Sequence, residues 1–351
     1  MISEQQKQII TTDASQVVVI ASAASGKTTV LVERVKHLLS NGIEPNKIVL
    51  ITFTNAAAEE LADRLGHPVG MFLGTIHSYA NYLLLANGQE TSDLLEQEQF
   101  DRLFGRIKRH PECIRPVEHL LLDESQDSNE EHFEFLLDMI QPKNFMIVGD
   151  HKQSIYRWNG AYPEYLINLS RRDDVTTYDL TENYRNGYKI LDFARNIING
   201  AGYDYQDRSI PMRGVAGRVL DVTYNPMKIA KDLKAYGDYG QWFVLTRTNA
   251  QLDEIVFYLE KEGVPFDTFK RSELDNKELN KKMKQDTVKV LTIHTAKGLE
   301  ANNVMVIGAK FFNVEERCVS YVAATRARNL LVWTKMPNRG KRAAMMTSWE
   351  R

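Results

Sequence analysis

Nine short runs of Val, Ile and Leu punctuate this chain, and between them apolar residues recur at helical spacing. A run of that length with no polar alternation reads as a strand covered on both faces, and the helices that follow each strand supply the cover. The pattern predicts an α/β protein with parallel sheets. In the first half the strands fall at Val17 to Ala21, Ile48 to Thr52, Leu120 to Leu122 and Phe145 to Val148. The second half repeats the habit at Val219 to Thr223, Trp242 to Thr246, Val288 to Ile293, Val304 to Ile307 and Leu330 to Trp333. At 351 residues and 43% hydrophobic composition, the chain is long enough for two domains of roughly 150 residues each, so a second sheet implies a second domain.

Composition narrows the function classes. Charged residues make up 26% of the chain, and no apolar run approaches the roughly 20 residues that span a bilayer, so no membrane partner is expected. Met1 to Ile10 is polar and glutamine-rich, unlike a secretory leader, which points to the cytoplasm. Cys113 and Cys318 lie far apart, outside any CxxC pair, and are expected to be free thiols with no zinc. The net charge of −2 carries no global nucleic-acid signature. Local basic segments do occur: Arg102, Arg106, Lys108, Arg109 and Arg115 between Tyr79 and His119, the stretch from Lys270 to Lys284, and Arg339, Lys341 and Arg342 in the tail.

The strongest local signal is ASAASGKTT, Ala21 to Thr29, which follows an apolar strand and opens a helix. That is the setting of a phosphate-binding loop, in which backbone N–H groups of Ser25, Gly26 and the helix N-terminus converge on phosphate. Lys27 would reach the β and γ oxygens, Thr28 would hold Mg2+, and Thr29 completes the nucleotide-binding set. If position 24 needs positive φ, alanine there costs on the order of 1 kcal/mol. A second apolar strand ends in DESQD, where Asp123 suits a magnesium-holding carboxylate and Glu124 the group that orients and deprotonates an attacking water.

DESQD followed by VGDHKQSIYRWNGA, Val148 to Ala161, resembles consecutive motifs of the UvrD/Rep/PcrA helicases of superfamily 1. ISEQQKQII, ITFTNAAAEEL, GTIHS, TENYR, VLTIHTAKGLE and YVAATRA extend the resemblance in order from about Ile2 to Thr334. It implies two RecA-like P-loop domains with parallel sheets, ATP and Mg2+ as cofactors, and single-stranded DNA or single-strand/duplex junctions as partner. Accessory replication, repair or recombination proteins are further expected partners. By the same resemblance Gln6 reads the adenine edge, Tyr184 stacks on the base, and Gln153 senses the γ-phosphate. Arg185 and Arg326 act as arginine fingers on ATP hydrolysed at the interface of the two domains, and Glu300 is a ribose or phosphate-side contact. Phe53, His77, Tyr156 and Trp158 line the single-strand track, and Thr54, Asn55, Thr75, Ser78 and His294 add polar contacts to its backbone.

The departures are as specific as the matches. Ser22 and Ala24 stand where the family loop carries glycine, and Ala56 where it carries lysine. About 40 residues separate GTIHS from LLLDE, and about 20 separate EKEGVPF from VKVLTIHTAKGLE, so the large subdomains that interrupt the family's two domains are missing. The expected division is 1–78 and 119–178 for the first RecA-like domain, 79–118 for a small helical insertion, 179–335 for the second domain and 336–351 for a tail. The function expected is an ATP-dependent translocase or helicase moving 3′ to 5′ on single-stranded DNA. The rival is a nucleotide-gated DNA-binding or remodelling subunit without processive unwinding.

Overall fold

A computed structural model describes residues 2–269 and 281–336, and most of the basic stretch from Lys270 and the whole basic tail lie outside them. The chain divides into two compact units, Met1–Thr181 and Glu182–Arg351, each built on its own sheet.

The first unit contains β1 (Gln16–Ala21), β2 (Ile48–Thr52), β3 (Phe72–Thr75), β4 (His119–Leu122), β5 (Asn144–Gly149) and β6 (Thr176–Leu180), in the order β3-β2-β4-β5-β1-β6 with every pairing parallel. All five residues of β2 are buried. Such a strand is covered on both faces, and each buried Val, Leu or Ile contributes about 1.5–3 kcal/mol of apolar burial. One face packs on α1 (Glu4–Ile10) and α2 (Lys27–Ser40) through Ile9, Val30, Leu31 and Val35. α3 (Asn55–Leu65) joins them through Leu61 and ends at Gly66, whose φ of 71° is the left-handed stop of a helix.

The other face takes α4 (Ile76–Leu85), α6 (Arg102–Arg109) and α7 (Glu130–Phe133), with α5 (Ser92–Glu96) beside them and α8 (Pro163–Leu169) completing the layer. The expected insertion is therefore helical, but it is no separate lobe: Leu83, Leu94, Phe104, Ile107 and Cys113 share one core with Val18, Leu120 and Leu122. Its basic residues are partly committed. Arg106 makes a two-pronged bond to Asp93, and Lys108 pairs with Glu134 at 2.9 Å.

The second unit opens with a short parallel pair, β7 (Glu182–Asn183) and β8 (Ile210–Pro211). Its main sheet comprises β9 (Arg218–Thr223), β10 (Trp242–Thr246), β11 (Phe266–Thr268), β12 (Val288–Thr292), β13 (Ala301–Ile307) and β14 (Ala327–Lys335), again all parallel, in the order β11-β12-β10-β13-β14-β9. α9 (Tyr188–Asn199) and α12 (Val314–Ala324) pack together, and α10 (Pro226–Tyr236) pairs with α11 (Asn249–Glu262) over a core of Trp242, Val244, Ile255 and Val290. The fold class is the α/β arrangement expected. The unit boundary falls a few residues past position 178 because β6 is the edge strand of the first sheet, pairing with β1 from Val17 opposite Thr176. Cys113 and Cys318 are buried, and among the described residues no helix is long and apolar enough to cross a membrane.

A buried histidine, His132, lies against the first core. Burial, and secondarily the charge of His77, push the His132 ring down to about 4 from its ordinary 6.5. The unfolded chain binds that proton at higher pH than the folded one, so stability is lost as pH falls from about 6.5 toward 4. Urea unfolding of the wild type should lose about 2 kcal/mol more between pH 7 and pH 5 than His132→Gln; equal losses in the two proteins would remove His132 as the cause.

Candidate functional site

In a parallel sheet all strands end on one edge, and there the loops of the first unit gather the chemistry. β1 runs into the loop from Ser22 to Gly26, and Lys27 opens α2. Ala24 and Gly26 both take left-handed backbone, at φ 55° and 86°. The alanine that departs from the family loop therefore sits where a side chain is strained. Ser25 Oγ donates to the Ser22 carbonyl at 2.8 Å and closes the loop on itself. Gln6 presses from the other side: its Nε2 donates to the Ser25 carbonyl at 3.2 Å, and its Oε1 accepts the Ser3 N–H at 3.1 Å in a capping box. An adenine contact by Gln6 would be made at the expense of those bonds. Thr29 Oγ1 accepts from Arg64 at 3.0 Å, while Thr28 is half-buried beside it.

β4 delivers Asp123, almost wholly buried, and Glu124, whose φ of 50° is a left-handed conformation unusual outside glycine. Strain of this kind persists where surrounding contacts hold it. Lys27 Nζ lies 3.7 Å from a Glu124 oxygen. Burial, and then the neighbouring Glu124 charge, raise the Asp123 carboxyl well above its ordinary range against the opposing pull of Lys27. Such an excess of buried negative charge fits a divalent cation, and Asp123 with the Thr28 hydroxyl are the groups that would hold it.

β5 ends at Gly149, where a Cβ would lie 2.3 Å from Ser125 Oγ and 2.9 Å from Gln126 Oε1. Glycine is required there by close approach. The next residues are a buried polar knot: Asp150 pairs with Lys152 at 3.1 Å, Lys152 also reaches the Ala21 carbonyl at 3.3 Å, and Gln153 Nε2 donates to Asp150 at 2.7 Å. Burial pushes Asp150 up, but the charges of Lys152, Lys27 and His151 together with the Gln153 hydrogen bond outweigh it and hold the carboxyl below the usual carboxylate range. Gln153 is legible from its motif, whereas Gln126, Asp150 and Lys152 are not: a buried Asp and Lys two residues apart cannot be told from a surface pair by composition.

On the same edge Phe53 stacks on Tyr156 at 5.5 Å and 19°, and Tyr156 meets Trp158 edge-on at 6.3 Å. Tyr156 is buried by this, whereas Trp158 is 65% exposed. Thr54 and Thr75 cap α3 and α4, accepting from Ala57 and Ser78 N–H groups, and Asn55 is exposed at the start of α3. His77 bonds Asp101 at 3.0 Å and stacks on Phe104 at 5.3 Å. His77, Asp101 and His132 bring their ligating atoms within 4.8 Å, but His132 Nδ1 accepts the Asn129 N–H at 3.3 Å. Its proton therefore sits on Nε2, which makes that nitrogen a donor.

In the second unit TENYR is clasped to ATRA. Asn183 Oδ1 accepts the Arg185 and Asn186 N–H groups, and Asn186 Nδ2 donates to the carbonyls of Thr325 at 3.1 Å and Ala327 at 2.6 Å. Arg185 and Arg328 both bond the Glu300 carboxylate, and their charge overcomes burial to hold Glu300 below its ordinary value. Arg326 is buried, donating to the carbonyls of Val322 at 3.0 Å and Leu299 at 3.2 Å. Tyr184 is exposed, its hydroxyl on Glu182 at 2.8 Å. These groups lie where β13 and β14 begin, while His294 follows the end of β12.

A family model described as UvrD/REP helicase N-terminal domain matches residues 2–109 and 110–174, and one described as UvrD-like helicase C-terminal domain matches residues 266–338. Among similar proteins, Gabija protein GajB of Bacillus cereus is 26% identical over 81% of this chain and 67% of its own length. A probable DNA helicase of Mycoplasma pneumoniae is 24% identical over 94% and 82%. The ATP-dependent DNA helicase Rep of Escherichia coli is 22% identical over 74% of this chain and 54% of its own length. Against several such helicases the chain spans about half of the relative.

The φ of Ala24 leads to a stability prediction. Ala24→Gly should relieve the left-handed strain and raise the stability of the first unit by up to about 1 kcal/mol. Chemical denaturation checks this, and a lower midpoint for the glycine variant would show that Ala24 is not strained.

Proposed function

Because the chain belongs to the UvrD/REP helicase family, we propose that it is an ATP-driven motor that steps 3′ to 5′ along single-stranded DNA. The observation that carries this reading is the sharing of one sheet edge by the Lys27, Asp123 and Glu124 cluster and the Phe53, Tyr156 and Trp158 ladder, with Asp150 to Gln153 in the chain between them.

Lys27 would leave Glu124 for the phosphates, and Glu124 would then act on the attacking water. Magnesium, held by Asp123 and Thr28, would offset phosphate charge. Gln153, fixed to Asp150, would sense the γ-phosphate five residues before the exposed Trp158 ring. Arg185 and Arg326 keep the role that the motifs imply, stabilising charge on the transferring phosphoryl group; in related enzymes such an arginine is worth about a thousandfold or more. Tyr184 would stack on the base, Gln6 would read the adenine edge, and Glu300 would make a ribose or phosphate-side contact. On the DNA side Trp158 offers a face to any base, since stacking carries no sequence preference, and His77, Thr54, Asn55, Thr75 and His294 add backbone contacts. Single-strand/duplex junctions and accessory repair or replication proteins complete the proposed partners.

Hydrolysis measured with no nucleic acid, single-stranded DNA, duplex DNA and RNA tests the class: strong stimulation by single strands is expected, followed by translocation in a stopped-flow assay. Stimulation without translocation would favour a nucleotide-gated clamp. Lys27→Ala should lose ATP affinity and turnover together. Glu124→Gln should still bind ATP while hydrolysis falls by roughly 10² to 10⁴; more than about a tenth of wild-type turnover would remove Glu124 from the role. Trp158→Ala should weaken single-strand binding of any sequence by roughly 1–3 kcal/mol with basal ATPase intact, and an unchanged affinity in titrations at fixed salt would take Trp158 out of the track.

A further inference from the structure

We propose that Gln126 is a positioning residue that sets Glu124 for hydrolysis and ties it to the segment carrying Gln153; this rests on Glu124 being the group that acts on water. Gln126 is completely buried in the turn after β4. Its amide has one job at each end: Nε2 donates to the Glu124 carboxylate, and Oε1 accepts the Asp150 N–H at 2.8 Å. A primary amide is planar and rigid, so displacement at one end is carried to the other. The Gln126 main-chain carbonyl also accepts from Ser154 Oγ at 3.1 Å, which fixes the turn to both ends of the Asp150 to Gln153 segment.

The line continues on the far side. Asp150 holds Gln153 through its Oδ2 and Lys152 through its Oδ1, and Lys152 reaches Ala21 at the end of β1. Glu124, Gln126, Asp150 and Gln153 thus form one unbroken hydrogen-bonded chain, walled by Gly149 where any side chain would displace the Gln126 oxygen. A buried chain of this kind couples its ends because breaking a link leaves polar groups unsatisfied in low dielectric. Its use is evident from the neighbouring contact. One Glu124 oxygen faces Lys27, a cation that phosphate recruits; the Gln126 bond to the other oxygen keeps the carboxylate aimed once Lys27 has turned away. A change sensed at Gln153 reaches the same carboxylate through Asp150.

The test is a double-mutant cycle of Gln126→Met and Gln126→Glu, each made in the wild type and in Glu124→Gln. Rates are read by single-turnover hydrolysis with saturating single-stranded DNA, ATP affinity by titration with a non-hydrolysable analogue, and folding by denaturation midpoint. Gln126→Met should slow hydrolysis roughly 10- to 100-fold, the scale of a misplaced reacting group, with ATP affinity unchanged. Gln126→Glu keeps an acceptor for the Asp150 N–H but sets a second buried carboxyl against Glu124, so repulsion or a shared proton should leave the rate low at neutral pH; the folding midpoint shows how much of the loss is instability. In Glu124→Gln neither change should cost anything further, because the group they act through is gone. A full second loss in that background would overturn the proposal and make Gln126 a packing residue of the turn. Substantial turnover by Glu124→Gln alone would instead show that the reading of Glu124 is at fault.

Discussion

An all-parallel sheet ends all its strands on one side, and this single constraint organises the first unit. β1, β2, β3, β4 and β5 deliver the phosphate loop, Phe53, Thr75, the paired carboxylates and Asp150 to the same edge. Groups more than a hundred residues apart in sequence then meet over a few ångströms, as Lys152 does with Ala21. The strands need no chemistry of their own for this; their Val, Ile and Leu residues supply burial, and the loops at their ends are left to carry polar groups. The close approach of β5 to the turn after β4, possible because residue 149 has no side chain, brings the last two loops into hydrogen-bonding distance.

The second unit uses its sheet differently. Its charged groups collect where β13 and β14 begin, around a clasp made by two buried asparagines rather than around a phosphate loop. Asn183 and Asn186 satisfy the backbone of the TENYR turn and the ATRA turn together, so both arginine-bearing segments are held by one set of bonds. Glu300 then distributes one negative charge between Arg185 and Arg328. The arrangement keeps two guanidinium groups close without leaving either charge bare in a half-buried setting.

Much of this was legible in the sequence because the strongest signals are local. The central strands announced themselves as apolar runs, broken in β12 only by the buried Lys289, and β2 and β10 match the expected spans residue for residue. In the two six-stranded sheets the strands that the pattern missed, β3, β6 and β11, all lie at sheet edges. An edge strand is covered less, so β6 carries Thr, Thr, Tyr and Asp and shows no apolar run. The motifs identified site residues one by one, but not which of them touch. That Tyr156 packs on Phe53 and is buried while Trp158 stands out depends on tertiary packing that no spacing rule encodes. Nor could the sequence separate Asp150 and Lys152, enclosed and paired, from an ordinary surface pair.

The helical segment between β3 and β4 supplies Leu83, Leu94, Phe104 and Ile107 to the same core as Leu120. It therefore cannot behave as a detachable cassette. Evolution or engineering that enlarged this chain at that point would have to add residues at the exposed turn around Gly88, keeping the helices as a foundation, because excising them would open the flank of the sheet to water. The segment is masonry: short enough to look dispensable by its length, and built into the wall that flanks the sheet.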